Sequence, residues 1–188
     1  MIRKLAEQVK EYKGASIATP LFMLLEVAME MMIPLEMGNI LDKGIQGNSL
    51  QAIFFYGGIM IFLALVGLFA GFAGGKYGAR ASAGFARNLR EALFRKVQTF
   101  SFANIDHFST ASLVTRMTTD VTNLQNAYQM LLRMAVRAPA SLIVAMLMAF
   151  YINARLASVY LVIVLLLGLF LFGIISVVRQ IFRQVFRE

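Results

Sequence analysis

The chain has 188 residues, 59% of them hydrophobic, with a mean hydropathy of +0.70 and a net charge of +8. A soluble domain is roughly half apolar, and here the excess gathers in a few long blocks, which argues against an ordinary soluble protein. There is no cysteine, which excludes disulfide, zinc-thiolate and thiol redox chemistry.

Residues 3–13, RKLAEQVKEYK, read as an amphipathic elbow helix within 1–15, with Leu5 and Val9 as i,i+4 apolar neighbours among charges. Such a helix can lie along the cytoplasmic lipid surface; a frayed polar terminus is the plain alternative. The first long apolar block, 17–41, exceeds the ~20 helical residues that cross a hydrocarbon core ~30 Å thick. It is too long and too rich in Glu to be the apolar core of a signal peptide, so it is expected to be retained. Pro20 lies near its start and is tolerated, whereas Pro34 removes a hydrogen bond and is expected to kink the far end. Glu26 and Glu30 stand one turn apart inside this block, and Glu36 stands near its outer end. A carboxylate at bilayer depth is costly and usually faces a cavity or a partner. Glu26 and Glu30 are therefore candidates for the wall of a substrate pathway, attractive to cationic or amphipathic molecules. The alternative is a carboxylate held neutral or bonded to a neighbouring helix. Gly44, Gly47, Asn48 and Ser49 mark a turn.

The second block, 52–74, does not stop where a membrane would. From 52 to about 99 there is no proline, and a helix of that length measures ~72 Å, more than twice the hydrocarbon thickness. About half of it must stand in water. Arg80, Arg87, Arg90, Arg95 and Lys96 all fall in that half, and Leu89, Leu93 and Val97 keep an apolar stripe there. Gly67, Gly71, Gly74, Gly75 and Gly78 give the small-xxx-small spacing of close helix packing, with a gating hinge as the alternative. Residues 100–110, FSFANIDHFST, break the pattern. A helical stretch over 112–137, ~39 Å long, then returns. The segment 76–133 thus reads as an antiparallel cytoplasmic hairpin with its tip near 100–110.

Two further apolar blocks follow, at 134–152 and 156–178, joined near Asn153. No block alternates as a barrel strand does, so all four are read as helices, which satisfy their own backbone in lipid. The expected fold is all-α: four transmembrane helices with long cytoplasmic extensions. Beyond 176, SVVRQIFRQVFRE continues as a helix with Arg179, Arg183 and Arg187 at every fourth position. It stops without a second tip, so the sequence reads as a fragment or one piece of a split protein.

The basic residues assign the sides. Arg3, Lys4, Lys10 and Lys13 precede the first block. Nine basic residues against Glu91, Asp106 and Asp120 lie in 76–137, and the turn after the first block offers only Asp42 and Lys43. The positive-inside rule places both ends and the hairpin in the cytoplasm. This explains the charge without nucleic acid as a partner. His107 is the only histidine and supports neither a metal site nor a catalytic triad; it reads as an exposed or interface residue. Arg116 and Asp120 can pair across one turn. Arg133 and Arg137 are expected to snorkel to the inner headgroups. The twelve Met and sixteen Phe either form an adaptable binding wall or, more simply, face lipid and pack helices.

IPLEMGNILDKGI at 33–45 is similar to the end of the first helix and first outer loop of ABC exporters of the multidrug and lipid type. FANIDHFSTASLVTRMTTDVTNLQN at 102–126 resembles their first intracellular loop, with Thr110, Thr115, Arg116 and Asp120 fitting its pattern. Ala111 stands where the family carries Gly, and Thr115 where it carries Ser. MLLRMAVRAPA at 130–140 resembles bacterial members that pair as heterodimers. The resemblance covers essentially the whole chain. It implies a half-transporter of six membrane helices and a nucleotide-binding domain, two halves of which alternate access under ATP and Mg. It also implies a coupling helix at Phe102, Ala103, Asn104, Ile105, Asp106, His107, Phe108, Ser109 and Thr110 that presses on the nucleotide-binding domains. The chain itself carries no GxxxxGK[ST] phosphate loop. Gly75–Lys76 is a decoy, since Ala70 stands where the first Gly belongs and Tyr77 follows the Lys.

The leading reading is the membrane portion of an ATP-driven exporter in a bacterial plasma membrane, not itself an enzyme and holding no metal or cofactor. Its partners would be the bilayer, nucleotide-binding domains, a second half-transporter and an exported substrate that the sequence does not name. The alternatives are a proton-coupled secondary transporter or channel working through Glu26 and Glu30, and a non-transporting membrane scaffold.

Overall fold

Turn chemistry, not proline, sets the element boundaries, and Pro20, Pro34 and Pro139 all lie within helices. The computed structural model of the protein describes residue 5 and residues 7–99 and 110–185, and all regular structure among them is helical. Helix α1 runs Lys13–Asn39 and passes without a break into a wider π-helical turn, Ile40–Gln46. Pro20 and Pro34 both lie inside α1. The chain reverses at Gly47 and Asn48, the latter at φ 48, a left-handed conformation that Asn tolerates better than most residues. Ser49 N–H donates to the Gly44 carbonyl at 2.9 Å. The Ser49 hydroxyl then caps the next helix by accepting from Ala52 N–H at 3.3 Å. A Cβ on Gly44 would run into the Ile53 side chain, so the turn closes tightly only with Gly there.

Helix α2 is Leu50–Gln98, 49 residues in one piece, about 74 Å at the α-helical rise. Gly78 and Gly84 do not interrupt it. Helix α3, Thr110–Thr115, leads through a π-helical turn, Arg116–Asp120, into α4, Val121–Ile152. Helix α5 is Ala154–Val185. Four of the described helical stretches are long and apolar enough to cross a membrane: Glu7–Gln46, Leu50–Gln98, Ser112–Ile152 and Ala154–Ile175.

The chain divides into two units, Met1–Ser141 and Leu142–Glu188. In the first, α1 and α2 pack antiparallel along the glycine stripe. Met29, Glu26, Met23 and Thr19 of α1 lie in turn against Gly67, Gly71, Gly74 and Gly78 of α2. Each missing Cβ lets the backbones approach, the close packing expected of small residues at i, i+4. Gly75 belongs to a different face, and a Cβ there would meet nothing. Further along α2, Phe85, Ala86 and Leu89 form a small core with Val121 of α4, covered by Leu5, Val9, Leu93 and Tyr128. Ser82 donates to Gln129 Oε1 at 3.3 Å, Phe85 meets Tyr128 at 4.7 Å between ring centroids, and Arg90 donates to Thr122 at 3.3 Å. These three contacts keep one antiparallel register between the end of α2 and the start of α4. The tip of the expected hairpin, with Asp106 and His107, lies outside the described residues.

Three expectations change. The N-terminal segment is not one amphipathic α-helix. Glu7–Tyr12 is a 3-10 turn broken at Lys10, at φ 40 and ψ −112. Its apolar residues are used against α2 rather than free for a lipid surface: Leu5 and Val9 cover the Phe85 core, and Asn88 donates to the Gln8 carbonyl at 2.9 Å. Arg116 and Asp120 form no ion pair. Their turn is π-helical, and its extra width moves residues four apart out of line. The Thr118 and Thr122 hydroxyls donate to the carbonyls of Val114 and Thr118 at 2.8 and 2.9 Å, back-bonding of the kind that bends helices. Finally, in the second unit, the loop expected near Asn153 is a single residue. Asn153 N–H reaches Ala149 and its carbonyl accepts from Ala157, while its side chain caps Arg155 and Leu156 at 3.1 and 3.2 Å. Within that unit Ala157 is buried, whereas Leu165, Leu169 and Phe170 of α5 are exposed.

Candidate functional site

Glu26 and Glu30 are both inside α1, and one helical turn aligns their side chains on the same face. Arg137 of α4 meets both. Its Nη1 donates to Glu26 Oε1 at 2.8 Å and its Nη2 to Glu30 Oε2 at 3.0 Å. The planar guanidinium suits this task, because its two terminal nitrogens diverge at fixed angles and hold two acceptors at once. The three groups together carry one net negative charge. The Glu26 side chain is 20% exposed, Arg137 37% and Glu30 52%.

Gly71 makes room for this arrangement. A Cβ at that position would stand 3.0–3.3 Å from the Glu26 carboxylate. The second Glu26 oxygen is buried without a hydrogen-bond partner, and an unsatisfied acceptor of that kind costs about 1–3 kcal/mol. Thus Glu26 is the member of the triad with capacity to spare.

Two clefts open on the triad. One, of about 590 Å³, is lined by Glu26, Glu30 and Arg137 together with Ile33, Leu63, Gly67, Leu68, Phe72 and Arg133. The other, of about 390 Å³, is lined by Met23, Asn126, Gln129, Met130, Arg133, Met134 and Arg137. Both combine apolar walls with a few fixed polar groups, the composition of sites that take amphipathic molecules. Three methionines line the second cleft, whereas Phe54, Phe55, Phe62 and Phe69 point outward from α2. Nothing in the triad is a nucleophile beside a base, and its chemistry is binding and charge pairing.

The structure places the remaining candidates apart from this site. Glu36 accepts from Asn39 Nδ2 at 3.1 Å and does not join the triad. Phe102 through Ser109 lie outside the described residues. Thr110 opens α3, and Thr115, Arg116 and Asp120 belong to the end of α3 and the π-helical turn after it. Arg137, expected to snorkel, instead pairs with two carboxylates of α1. A signal was available, since Glu26/Glu30 and Arg133/Arg137 are oppositely charged pairs with the same one-turn spacing on two different spans.

A model of the ABC transporter transmembrane region matches residues 16–188. An uncharacterized ABC transporter ATP-binding protein of Bacillus subtilis (strain 168), YfiB, is 33% identical over 184 residues, covering 98% of this chain and 32% of that protein. Similarly described proteins of Mycobacterium tuberculosis (strain ATCC 25618 / H37Rv) and Mycobacterium bovis (strain ATCC BAA-935 / AF2122/97) are each 26% identical over 184 residues, again covering 98% of this chain and 32% of theirs. The chain therefore spans about a third of the length of these relatives.

Proposed function

This chain belongs to the ABC transporter transmembrane family, and from that premise we propose that it is part of the membrane portion of an ATP-driven exporter. In this reading it lines a substrate pathway and receives force from nucleotide-binding domains on the cytoplasmic side. The observation that carries the proposal is the 49-residue helix α2. An element of about 74 Å crosses the bilayer and still projects about as far again, and a stiff rod of that reach can transmit motion from a motor outside the membrane. The register between its far end and the start of α4 supports a paired arm rather than a single strut. Phe102–Thr110 would press on the nucleotide-binding domains, and ATP and Mg would be bound there, outside this chain. The partners would be those domains and a second half-transporter, with the N-terminus in the cytoplasm of a bacterial cell.

The clefts beside Glu26, Glu30 and Arg137 are the proposed piece of the pathway. The triad modifies how those carboxylates act. Arg137 neutralises one of the two charges, so they present a polar patch with one net negative charge rather than two free anions.

The test is transport into inverted vesicles by the longest natural polypeptide that carries this sequence. We expect uptake of a cationic amphiphile that requires ATP and persists when the proton gradient is collapsed. Uptake driven by the gradient without ATP would favour a secondary transporter instead. No uptake of any amphiphile, with wild-type cellular phenotypes retained by a transport-dead variant, would favour the scaffold. In the same assay Glu26→Gln with Glu30→Gln should change the preference among cations of different charge. Unchanged uptake and unchanged drug-stimulated ATPase would remove those residues from the pathway.

A further inference from the structure

We propose that Arg80 and Arg87 of α2, with Tyr12 and Tyr77, form a binding site for the phosphate of an anionic phospholipid headgroup. The four residues line a cleft of about 490 Å³ together with Glu11 and Ala15, on the outside of the α1–α2 seam and separate from the charge triad.

Depth is the first argument. The apolar run of α2 ends near residue 74. Arg80 is six residues further and Arg87 thirteen, about 9 and 20 Å along the axis. Side chains on a helix lean toward its N-terminus, which on α2 is the direction of the apolar run. The long Arg80 stem therefore brings its guanidinium back toward the level where headgroups lie, and Arg87 closes the same cleft from its water side. Tyrosine prefers that same level, with its ring on the apolar side and its hydroxyl in the polar layer.

Availability is the second. Arg95 pairs with Glu91 at 2.7 Å, Arg90 donates to Thr122, and Arg137 holds two carboxylates. Arg80 and Arg87 have no hydrogen-bond or ion-pair partner among the described residues, and neither does Glu11. Two exposed cations that share a cleft and have no protein partner are free to take an anion from outside.

Preorganisation is the third. The Tyr12 ring sits in the notch left by Gly84, where a Cβ would enter the ring. Tyr77 stacks on Phe22, with centroids 5.6 Å apart and planes 5° from parallel. Both aromatic walls are held before any ligand arrives. The Glu11 carboxylate leaves the cleft with one net positive charge. That balance matches the single charge of a phosphodiester and disfavours the double charge of a phosphomonoester or of inorganic phosphate.

The experiment uses the longest natural polypeptide carrying this sequence, purified into nanodiscs that mix phosphatidylcholine with phosphatidylglycerol. Phosphatidylglycerol retained after mild detergent extraction is counted by native mass spectrometry. Arg80→Gln with Arg87→Gln should weaken retention about thirtyfold, at a typical contribution per basic residue near an anionic surface. Arg90→Gln with Arg95→Gln removes the same charge from the same helix and should change retention less than twofold. Equal loss in both double variants would reduce the effect to bulk charge and overturn the proposal, as would unchanged retention in the first. Competition separates the two possible sources of phosphate. Millimolar inorganic phosphate should leave the lipid in place, and its displacement would reassign the cleft to a soluble anion. Glu11→Gln keeps the cations and serves if the double variant does not fold. It should raise retention of phosphatidic acid, a monoester, relative to phosphatidylglycerol, and no change in that ratio would count against the site.

Discussion

Along α2, the residues that are buried change character near Gly74. Before it, Leu63, Ala70 and Gly74 are buried, while Phe54, Phe62, Leu68 and Phe69 each expose about two-thirds of their surface or more. After it, the buried set is Gly78, Ala81, Ser82, Gly84, Phe85, Ala86, Asn88 and Leu89, and charged residues take the outside. One uninterrupted helix thus follows two rules. In the first half small residues pack and large apolar ones face outward, as suits a lipid solvent in which apolar side chains gain nothing by hiding. In the second half the hydrophobic effect operates, and Phe85 and Leu89 turn inward. The lesson is that hydrophobicity alone does not locate the core of this protein. In the membrane half, the contact with α1 is made at Gly67, Gly71 and Gly74.

The contrast can be broken at four points. The largest effect should come from Phe85→Ala, which empties the core of the water-exposed half and should cost about 4 kcal/mol. Phe69→Ala, 69% exposed on the same helix, should cost less than about 1 kcal/mol when unfolding is followed in mixed micelles. Similar losses for the two would mean that the halves do not differ as described. Next comes charge. Arg137→Gln leaves two carboxylates facing each other and should destabilise by about 3 kcal/mol, whereas Arg95→Gln breaks an exposed pair worth about 0.5 kcal/mol or less. Neutralising all three members, with Glu26→Gln and Glu30→Gln added, should recover part of the first loss. If the triple variant is the least stable, the triad is more than a balance of charge.

The third point concerns the seam. Gly84→Ala drives a methyl into the Tyr12 ring and should cost about 2 kcal/mol, read also as faster proteolysis within 7–12 as that segment detaches. Gly74→Ala meets chiefly the movable end of Met23, with the Phe22 Cβ and the Thr19 carbonyl at 3.3 and 3.7 Å, so its cost should be smaller, about 1 kcal/mol. The smallest effect is a gain. Gly75→Ala meets open space and should stabilise the helix by about 0.5–1 kcal/mol. A loss at Gly75 equal to that at Gly84 would show that the helix, not the seam, is what these glycines serve.

The elements themselves were legible because they depend on local quantities. A 49-residue helix follows from proline absence and apolar run length, and its overshoot follows from comparing two lengths. The glycine stripe was legible as a packing motif, although only contact with α1 separates Gly74, which is covered, from Gly75, which is not. The carboxylates were legible as an anomaly at bilayer depth, but their partner was not. Glu26 and Arg137 are 111 positions apart, and the matched spacing of the two charged pairs does not by itself bring them together.

The amino-acid order by itself determined that this is an all-helical, multi-pass membrane protein with one helix far longer than a bilayer requires. Those properties follow from runs and periods along a single dimension. Only the tertiary structure decided that Arg137 bridges two glutamates, that the N-terminal segment breaks at Lys10 and docks on α2, and that Arg116 and Asp120 form no ion pair. Each of these is set by which surfaces meet, or by how a local turn distributes its hydrogen bonds once they do, and no one-dimensional period specifies that.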